Sequence, residues 1–258
     1  TNDKFQMPKE CQNVFFPGCI LASNKPDLVL KTYEYLKKIL GSIEVGIILN
    51  CCSAPFEMLG LKSVSKNILH SVHKQIKKIG ASNIITSCPK CHQIFSYYFP
   101  QYKIITVYEI MEREKLPASD SEFKFPFAIF HSCVTQREKK IKYAVNCLMG
   151  KIGYFIFENF KEEKPNKCCG MGGLVSIANP ILSNIIAQER ASQMGGEGIV
   201  TYCAACQESL MQYRTTVHLL ELIFNPQWHY EIQTSPPGAD QKRENLVWLK
   251  NQLQLVCS

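Results

Sequence analysis

Ten of the thirteen cysteines fall into two copies of one spacing pattern. Each copy has a single cysteine, then an adjacent pair, then a C-x-x-C motif, with intervals of 31 and 35 residues in the first copy and 34 and 33 in the second. The copies are Cys19, Cys51, Cys52, Cys88 and Cys91, and Cys133, Cys168, Cys169, Cys203 and Cys206. Corresponding cysteines lie 114 to 117 positions apart, so the chain contains an internal repeat.

Five thiolates gathered in one place repel one another, and a bound cation neutralises them. Zinc takes four ligands in a tetrahedron, so a set of five has one too many. An iron–sulfur cluster is larger, and adjacent cysteines such as Cys51 and Cys52 can reach different irons. The residues therefore favour iron–sulfur over zinc and leave both open, while buried structural cysteines do not explain the duplicated spacing. Cys11, Cys147 and Cys257 lie outside the repeat and are interpreted as bystanders.

The composition is that of a globular protein, with 46% apolar and 20% charged residues in a chain of 258. Its apolar runs are far shorter than the roughly 20 residues that cross a bilayer, so we expect no membrane span. We also see no export signal, and clustered cysteines in an odd total indicate a reducing compartment. The expected location is cytoplasmic, with a membrane-associated complex as the alternative.

The net charge of +7 is moderate and shows no basic stripe interleaved with aromatic residues. We therefore expect no nucleic-acid binding, and surface solubility or docking to an acidic partner explains the charge. The chain has no G-x-G-x-x-G fingerprint, so no flavin or NAD site is expected in it. It also lacks the C-x-x-C-x-x-C-x-x-x-C-P run that binds cubane clusters for electron relay.

Short runs of strand type lead into most of the cysteine groups, as in "NVFFPGC", "SNIITSC" and "EGIVTYC". Helical patterns lie between them, at 26–40, 64–79, 180–196 (with Asn179 as its cap) and 240–256 (with Asp240 as its cap). Alternating strands and helices predict an α/β fold with a parallel sheet in each half. Because ligands of such sheets bind beyond the carboxyl ends of the strands, the thiols of each copy should converge there. The weaker case is Cys168, which polar residues at 158–167 separate from the strand candidate "GYFIF".

The motifs "HSCVTQR", "KCCGMGG" and "TYCAACQESL" of the second copy, and "FFPGC", "NCCSAP" and "TSCPKC" of the first, carry a resemblance to a known family. Over about residues 13 to 225 the chain resembles the duplicated cysteine-rich "CCG" domain found in the B-type subunit of heterodisulfide reductase. Related repeats occur in subunits of lactate, glycolate and glycerol-3-phosphate oxidation systems and in some succinate dehydrogenase and thiol:fumarate reductase subunits. Ser53 stands in the first copy where Gly170 stands in the second.

The resemblance implies two tandem Rossmann-like repeats, pseudo-twofold related, which we place at 1–122 and 123–258, the second with a C-terminal helical tail. It implies that each set of five cysteines binds a non-cubane [4Fe–4S] cluster, where a small disulfide is reduced to thiols or formed from them. The chain would then be an oxidoreductase subunit that receives electrons from a ferredoxin-like iron–sulfur subunit or a flavoprotein. The alternatives are an electron-transfer subunit of a lactate-, glycolate- or succinate-type or quinone-linked oxidoreductase, and a zinc-stabilised interaction module.

Five further residues are candidates for contact with the bound group or its substrate. Gly170, Gly172 and Gly173 could bring backbone N–H groups close to cluster sulfurs, or could simply form a tight turn. His131 and Arg137 flank Cys133 and could hold an anionic substrate or a thiolate; a capping or surface role is the alternative.

Overall fold

A computed structural model describes residues 11–41, 45–117, 126–157, 168–225, 227–230 and 232–257. The chain divides into two compact units. The first comprises Thr1–Ile105 together with Pro237–Ser258, and the second comprises Thr106–Pro236. No helix in the described ranges combines the length and the apolar character that crossing a bilayer requires.

The first unit is built on a four-stranded sheet. Its strands are β1 (Asn13–Phe16), β2 (Val45–Ile47), β3 (Asn83–Thr86) and β4 (Lys103–Thr106), in the order β2-β1-β3-β4. The central strand β1 pairs in parallel with both β2 and β3. Its side chains at Val14, Phe15 and Phe16 are all buried, as expected for a parallel strand covered on both faces.

Five helices connect or flank these strands: α1 (Cys19–Asn24), α2 (Pro26–Leu40), α3 (Ala54–Met58), α4 (Lys62–Ile79) and α5 (Pro89–Tyr98). The bounds of α2 agree with the predicted 26–40. Helix α4 begins two residues before the predicted 64–79 and ends at the predicted residue. Val64 is exposed, whereas Leu69, Val72, Ile76 and Ile79 are buried in the core of the unit.

The second unit repeats this plan around three strands, β5 (Phe127–Phe130), β6 (Gly198–Thr201) and β7 (Thr216–His218), which pair in parallel in that order. Its helices are α6 (Val107–Arg113), α7 (Lys139–Lys151), α8 (Val175–Ala178), α9 (Pro180–Gln193), α10 (Ala204–Leu210) and α11 (Leu219–Phe224). An isolated parallel bridge joins Phe127 of β5 to Ile156, on the edge of β5 that does not pair with β6. In the first unit the corresponding edge of β1 pairs with β2. The polar segment 158–167 lies outside the described residues.

The α/β fold with two parallel sheets is therefore confirmed, and its helix α9 begins as predicted. The Asn179 side chain accepts a hydrogen bond of 3.0 Å from the Leu182 N–H, which caps the helix.

The predicted domain boundary at 122/123 lies outside the described residues, and the two compact units divide at Ile105/Thr106. The reason is α6, which packs against α7 of the second unit and buries Val107 and Met111. On the same helix the Tyr108 hydroxyl donates to the backbone oxygen of Tyr202, at 3.1 Å.

The last helix, α12 (Ala239–Cys257), belongs to the first compact unit. It buries Leu249 and Leu253 and packs against α1 and α2. The Asn245 side chain donates to the Ser23 backbone oxygen at 2.7 Å, and Lys37 donates to the Val256 oxygen at 3.0 Å. Asp240 lies inside the first turn of the helix, where it pairs with Arg243, and is not its cap.

Candidate functional site

The first unit brings its five repeat cysteines together, each at the carboxyl end of a strand or the start of the helix that follows. Cys19 begins α1 directly after β1, Cys51 and Cys52 follow β2, and Cys88 and Cys91 lie at the start of α5 after β3. The thiols form a pair, in which Cys19 hydrogen-bonds to Cys51, and a trio, in which Cys91 hydrogen-bonds to both Cys52 and Cys88. Cys19 is exposed, whereas Cys52 and Cys91 are buried.

The second unit gathers its five cysteines with the corresponding contacts and one more, a hydrogen bond between Cys168 and Cys169. Cys133 hydrogen-bonds to Cys168, and Cys206 hydrogen-bonds to both Cys169 and Cys203. Three of these thiols are buried and none is exposed. The structure thus places all ten predicted cysteines in two sets of five. The contacts are pairwise, and within the described ranges no three His, Cys, Asp or Glu side chains are grouped so that they could hold a single metal ion.

The pKa values of the thiols are strongly divided within each set. Cys51, which accepts the hydrogen bond from Cys19, has its pKa lowered to about 6, while the pKa of Cys19 is raised far above its ordinary value. The pKa of Cys52 is likewise lowered by its contact with Cys91, and that of Cys91 is raised. The contacts between thiols thus lower the pKa of some thiols and raise that of their neighbours, so five thiolates can coexist only beside a cation.

Helix starts and backbone N–H groups add to this division in the second unit. Cys203 is the N-cap of α10, and its pKa is lowered to about 7, chiefly by Cys206 and then by the N–H groups of the first turn. The pKa of Cys168 is lowered most by Cys133, with help from the N–H groups of Gly170 and Gly172. The Gly172 N–H lies 3.1 Å from the Cys168 sulfur.

The glycines after the second cysteine pair therefore have different roles. Gly170 and Gly172 direct N–H groups at a repeat thiol, as predicted, and a Cβ on Gly172 would lie 2.6 Å from the Cys168 sulfur. Gly173 has a φ of 63° and open space around its Cα, so it serves the turn.

His131 and Arg137 do not line the thiol set as charged groups. The His131 Nδ1 lies 3.1 Å from the Tyr202 hydroxyl, and burial lowers the pKa of His131 to about 4, so the imidazole is neutral at neutral pH. Arg137 is exposed on the turn before α7, and no contact among the described residues joins it to a thiol. That either residue holds an anionic substrate or a thiolate stays a prediction.

Two features of the site were missed from the sequence. Gly18, with a φ of 87°, lies against the C-x-x-C motif, and a Cβ there would be 2.9 Å from the Cys88 Cβ. In the second unit the buried Tyr202 hydroxyl lies 2.7 Å from the Thr135 hydroxyl, which joins the turn after Cys133 to the residue before Cys203. The signals were "PGC" and "TYC", a glycine and a large polar aromatic residue directly before a repeat cysteine.

The model of the CCG cysteine-rich domain matches the chain twice, at residues 13–96 and 127–211. The chain belongs to the CCG cysteine-rich domain family. The two CCG domains together cover about two-thirds of the sequence, and each contains one complete set of five thiols. Both matched ranges end within the helix that carries the C-x-x-C motif or just after it, so the fourth strand of the first unit and β7 lie outside the family match.

Among curated proteins, the CCG chain is similar to an uncharacterized iron–sulfur protein of Methanococcus maripaludis, with 20% identity over 222 residues. That similarity covers 82% of this chain but only 44% of the relative, so the chain spans less than half of the relative's length.

Two solved structures also align with the CCG chain. A glutamate racemase isoform from Bacillus anthracis aligns with a TM-score of 0.38 and 10% identity, covering 84% of this chain and 79% of that one. An aspartate racemase homologue from Pyrococcus horikoshii aligns with a TM-score of 0.34 and 14% identity, covering 92% and 99%. At these TM-scores the alignments imply nothing about activity.

Proposed function

We propose that this CCG protein is an iron–sulfur redox subunit that reduces, or forms, a disulfide or a related sulfur compound. The observation that carries the proposal is the pair of complete five-thiol sets, each of which needs a cation to exist as thiolates. The iron–sulfur relative in Methanococcus maripaludis supports iron over zinc.

The donor set fits an iron–sulfur cluster in each unit. All ten candidate ligands are thiols, which iron–sulfur clusters prefer, and the adjacent pairs Cys51–Cys52 and Cys168–Cys169 suit a group whose irons are several ångströms apart. We therefore assign Cys19, Cys51, Cys52, Cys88 and Cys91 to one [4Fe–4S] cluster of non-cubane type, and Cys133, Cys168, Cys169, Cys203 and Cys206 to the other. When bound, such a cluster supplies one-electron redox steps and iron atoms with affinity for thiolates.

The protein's own groups prepare the site for this chemistry. The N–H groups of Gly170 and Gly172 stabilise negative charge on Cys168, and such hydrogen bonds to sulfur tune a redox potential. Exposure of Cys19 leaves the first set open to a small disulfide from the solvent side. Reduction breaks the S–S bond, takes up two electrons and two protons, and yields two thiols. The electrons come from a ferredoxin-like iron–sulfur subunit or a flavoprotein.

A second candidate function is electron transfer alone, within a lactate-, glycolate- or succinate-type or quinone-linked oxidoreductase. Burial of Cys169, Cys203 and Cys206 favours it for the second unit, because a cluster held there has less access to substrate.

Iron and acid-labile sulfide should be measured on anaerobically purified protein, with EPR spectra before and after addition of a small thiol. Two clusters give about eight irons per chain, and chemistry at one of them changes the spectrum when thiol is added. Cys168→Ser should remove about half of the iron and abolish turnover of a small disulfide, whereas Cys147→Ser, outside the repeat, should change neither. A spectrum that thiol leaves unchanged would favour electron transfer, and zinc in place of iron would overturn both functions.

A further inference from the structure

The excess positive charge of the protein is concentrated in one part of the chain. Residues 58–108 contain seven lysines and no aspartate, glutamate or arginine, which equals the whole net charge of +7. The rest of the chain is therefore balanced between acidic and basic residues. All of this segment up to Ile105 belongs to the first unit.

Five of the seven lysines lie on α4, and all five are exposed: Lys62, Lys66, Lys74, Lys77 and Lys78. Four of them, Lys62, Lys66, Lys74 and Lys77, recur at intervals of three, four or eight residues and so share one side of the helix. A different side packs against the rest of the unit, with Leu69, Val72 and Ile76 buried. We call the exposed side, with these four lysines, the basic face of α4.

Few carboxylates lie near the basic face among the residues that the structure describes. Two other long helices carry local ion pairs, Lys31 with Asp27 on α2 at 3.8 Å and Arg243 with Asp240 on α12. Within the described part of the chain, no ion pair joins a lysine of α4 to a carboxylate. The carboxylate that feels Lys62 is Glu57 on α3, whose pKa is lowered mainly by its hydrogen bond from Ser65 and less by Lys62. Mutual repulsion among the lysines would therefore be relieved by an anionic partner.

The N-terminal end of α4 lies close to the first thiol set. Ser65, in the first turn, has its hydroxyl 3.0 Å from that of Ser53. The Ser53 N–H in turn donates to the Cys51 sulfur at 3.3 Å. The first turn of α4 is thus linked to a repeat cysteine through two hydrogen bonds, so this end of the basic face is the part nearest to the first thiol set.

The same end of the helix exposes apolar side chains. Leu59, Leu61 and Val64 are 56%, 45% and 38% exposed, directly before or within the first turn of α4. Apolar contact beside a charged rim is the usual composition of a protein–protein interface, whereas nucleic acids are bound through charge and aromatic stacking.

We propose that the basic face of α4, together with Leu59, Leu61 and Val64, docks an acidic electron-donor protein that reduces the first site. This inference rests on the proposed function, because it assumes a redox group on the five thiols of the first unit. One electron leaves the donor's reduced cofactor, which is oxidised, and enters the first site, which is reduced; no covalent bond changes. Charge attraction of this kind speeds association and weakens as salt is added.

The test uses the full chain with its iron, and a small acidic ferredoxin as the donor. A triple variant, K66Q/K74Q/K77Q, removes three charges from the basic face. Its matched control, K139Q/K140Q/K142Q, removes three from α7 in the second unit. Stopped-flow reduction by reduced ferredoxin at low salt should slow about tenfold or more in the α4 variant and less than twofold in the control. Salt should slow the wild type strongly and the α4 variant little.

Two further measurements separate failure of this inference from failure of the proposed function. Photoreduced deazariboflavin, an uncharged small reductant, should reduce all three proteins at the same rate; no reduction of any of them would overturn the proposed function.

Binding of oxidised ferredoxin needs no cluster, and the Kd for ferredoxin should rise in the α4 variant alone. Equal ferredoxin rates and Kd values in the two variants would overturn the docking surface. Loss of binding to single-stranded DNA or phosphatidylglycerol vesicles, with ferredoxin unaffected, would overturn it in favour of those partners.

Discussion

Ser53 and Gly170 follow the cysteine pair in the two units, and both adopt a left-handed backbone, with φ of 68° and 97°. Ser53 is fully buried, and its hydroxyl is paired with that of Ser65. Gly170 leaves no room for a side chain, because a Cβ would lie 2.6 Å from the Ser183 backbone oxygen. The same turn is thus stabilised by a side-chain contact in one unit and by close backbone packing in the other.

Exchanging these residues should have unequal effects. Gly170→Ser adds about 1–2 kcal/mol of backbone strain and a clash with Ser183, so we expect a loss of about 2–4 kcal/mol in the unfolding free energy. Ser53→Gly relieves the strain but loses a hydrogen bond and gains chain entropy, so it should stay within about 1 kcal/mol of the wild type. Chemical denaturation of both variants tests this, and similar losses in the two would show that the units tolerate the turn equally.

Gly172 and Gly173 offer a test of contact with a thiol. Gly172→Ala puts a methyl group 2.6 Å from the Cys168 sulfur, so the thiol must move and about half of the iron should be lost. Gly173→Ala, at a φ of 63° with open space around it, costs about 1 kcal/mol of strain and should keep its iron. Iron per chain, measured beside the melting temperature, distinguishes the two, and full iron in Gly172→Ala would contradict the assignment of Cys168.

The half-buried His131 should make the stability of the second unit depend on pH. Its pKa is about 4 in the folded chain against about 6.5 when unfolded, so between these values the unfolded state binds the extra proton. Stability is therefore lost as pH falls from about 6.5 towards 4, by up to about 2 kcal/mol at pH 5. Denaturation at pH 7 and pH 5 should show this loss in the wild type and a smaller one in His131→Gln; equal losses would mean that His131 is solvated.

Helix α12 should stabilise the first unit through its two buried leucines, Leu249 and Leu253. Leu253→Ala empties a fully buried position and should cost about 2–5 kcal/mol. Leu255→Ala, at a side chain that is 71% exposed, should cost less than about 0.5 kcal/mol. Hydrogen exchange of α1 and α2 would show where the loss occurs, and protection lost only in the second unit would contradict the packing of α12.

Much of the fold follows from local pattern. The strand-type runs at β1, β3 and β6 predicted where the thiols of each copy meet, because parallel strands end at a common edge. The helix at 26–40 was predicted at its full length because Pro26 suits the first turn and the apolar residues recur at helical spacing up to Leu40.

The remainder depends on contacts between distant residues, which no local pattern contains. The close approach of Gly18 depends on Cys88, and the pairing of His131 depends on Tyr202. The apolar side of α12 fits any apolar surface, so its spacing could not show that the surface is formed by α1 and α2. Val64 fits the helical period of α4 but lies beyond the edge of the surface on which the helix packs, and so it is exposed.

The return of α12 to the first unit makes that unit discontinuous in the chain, with the second unit inserted between its parts. On the ribosome, residues 106–236 emerge before the helix that completes the first unit, so the later-encoded unit is the earlier one to have all of its residues available for folding. Cofactor loading would follow the same order, with the set around Cys168 ready to accept metal while the set around Cys19 still waits for its last supporting helix.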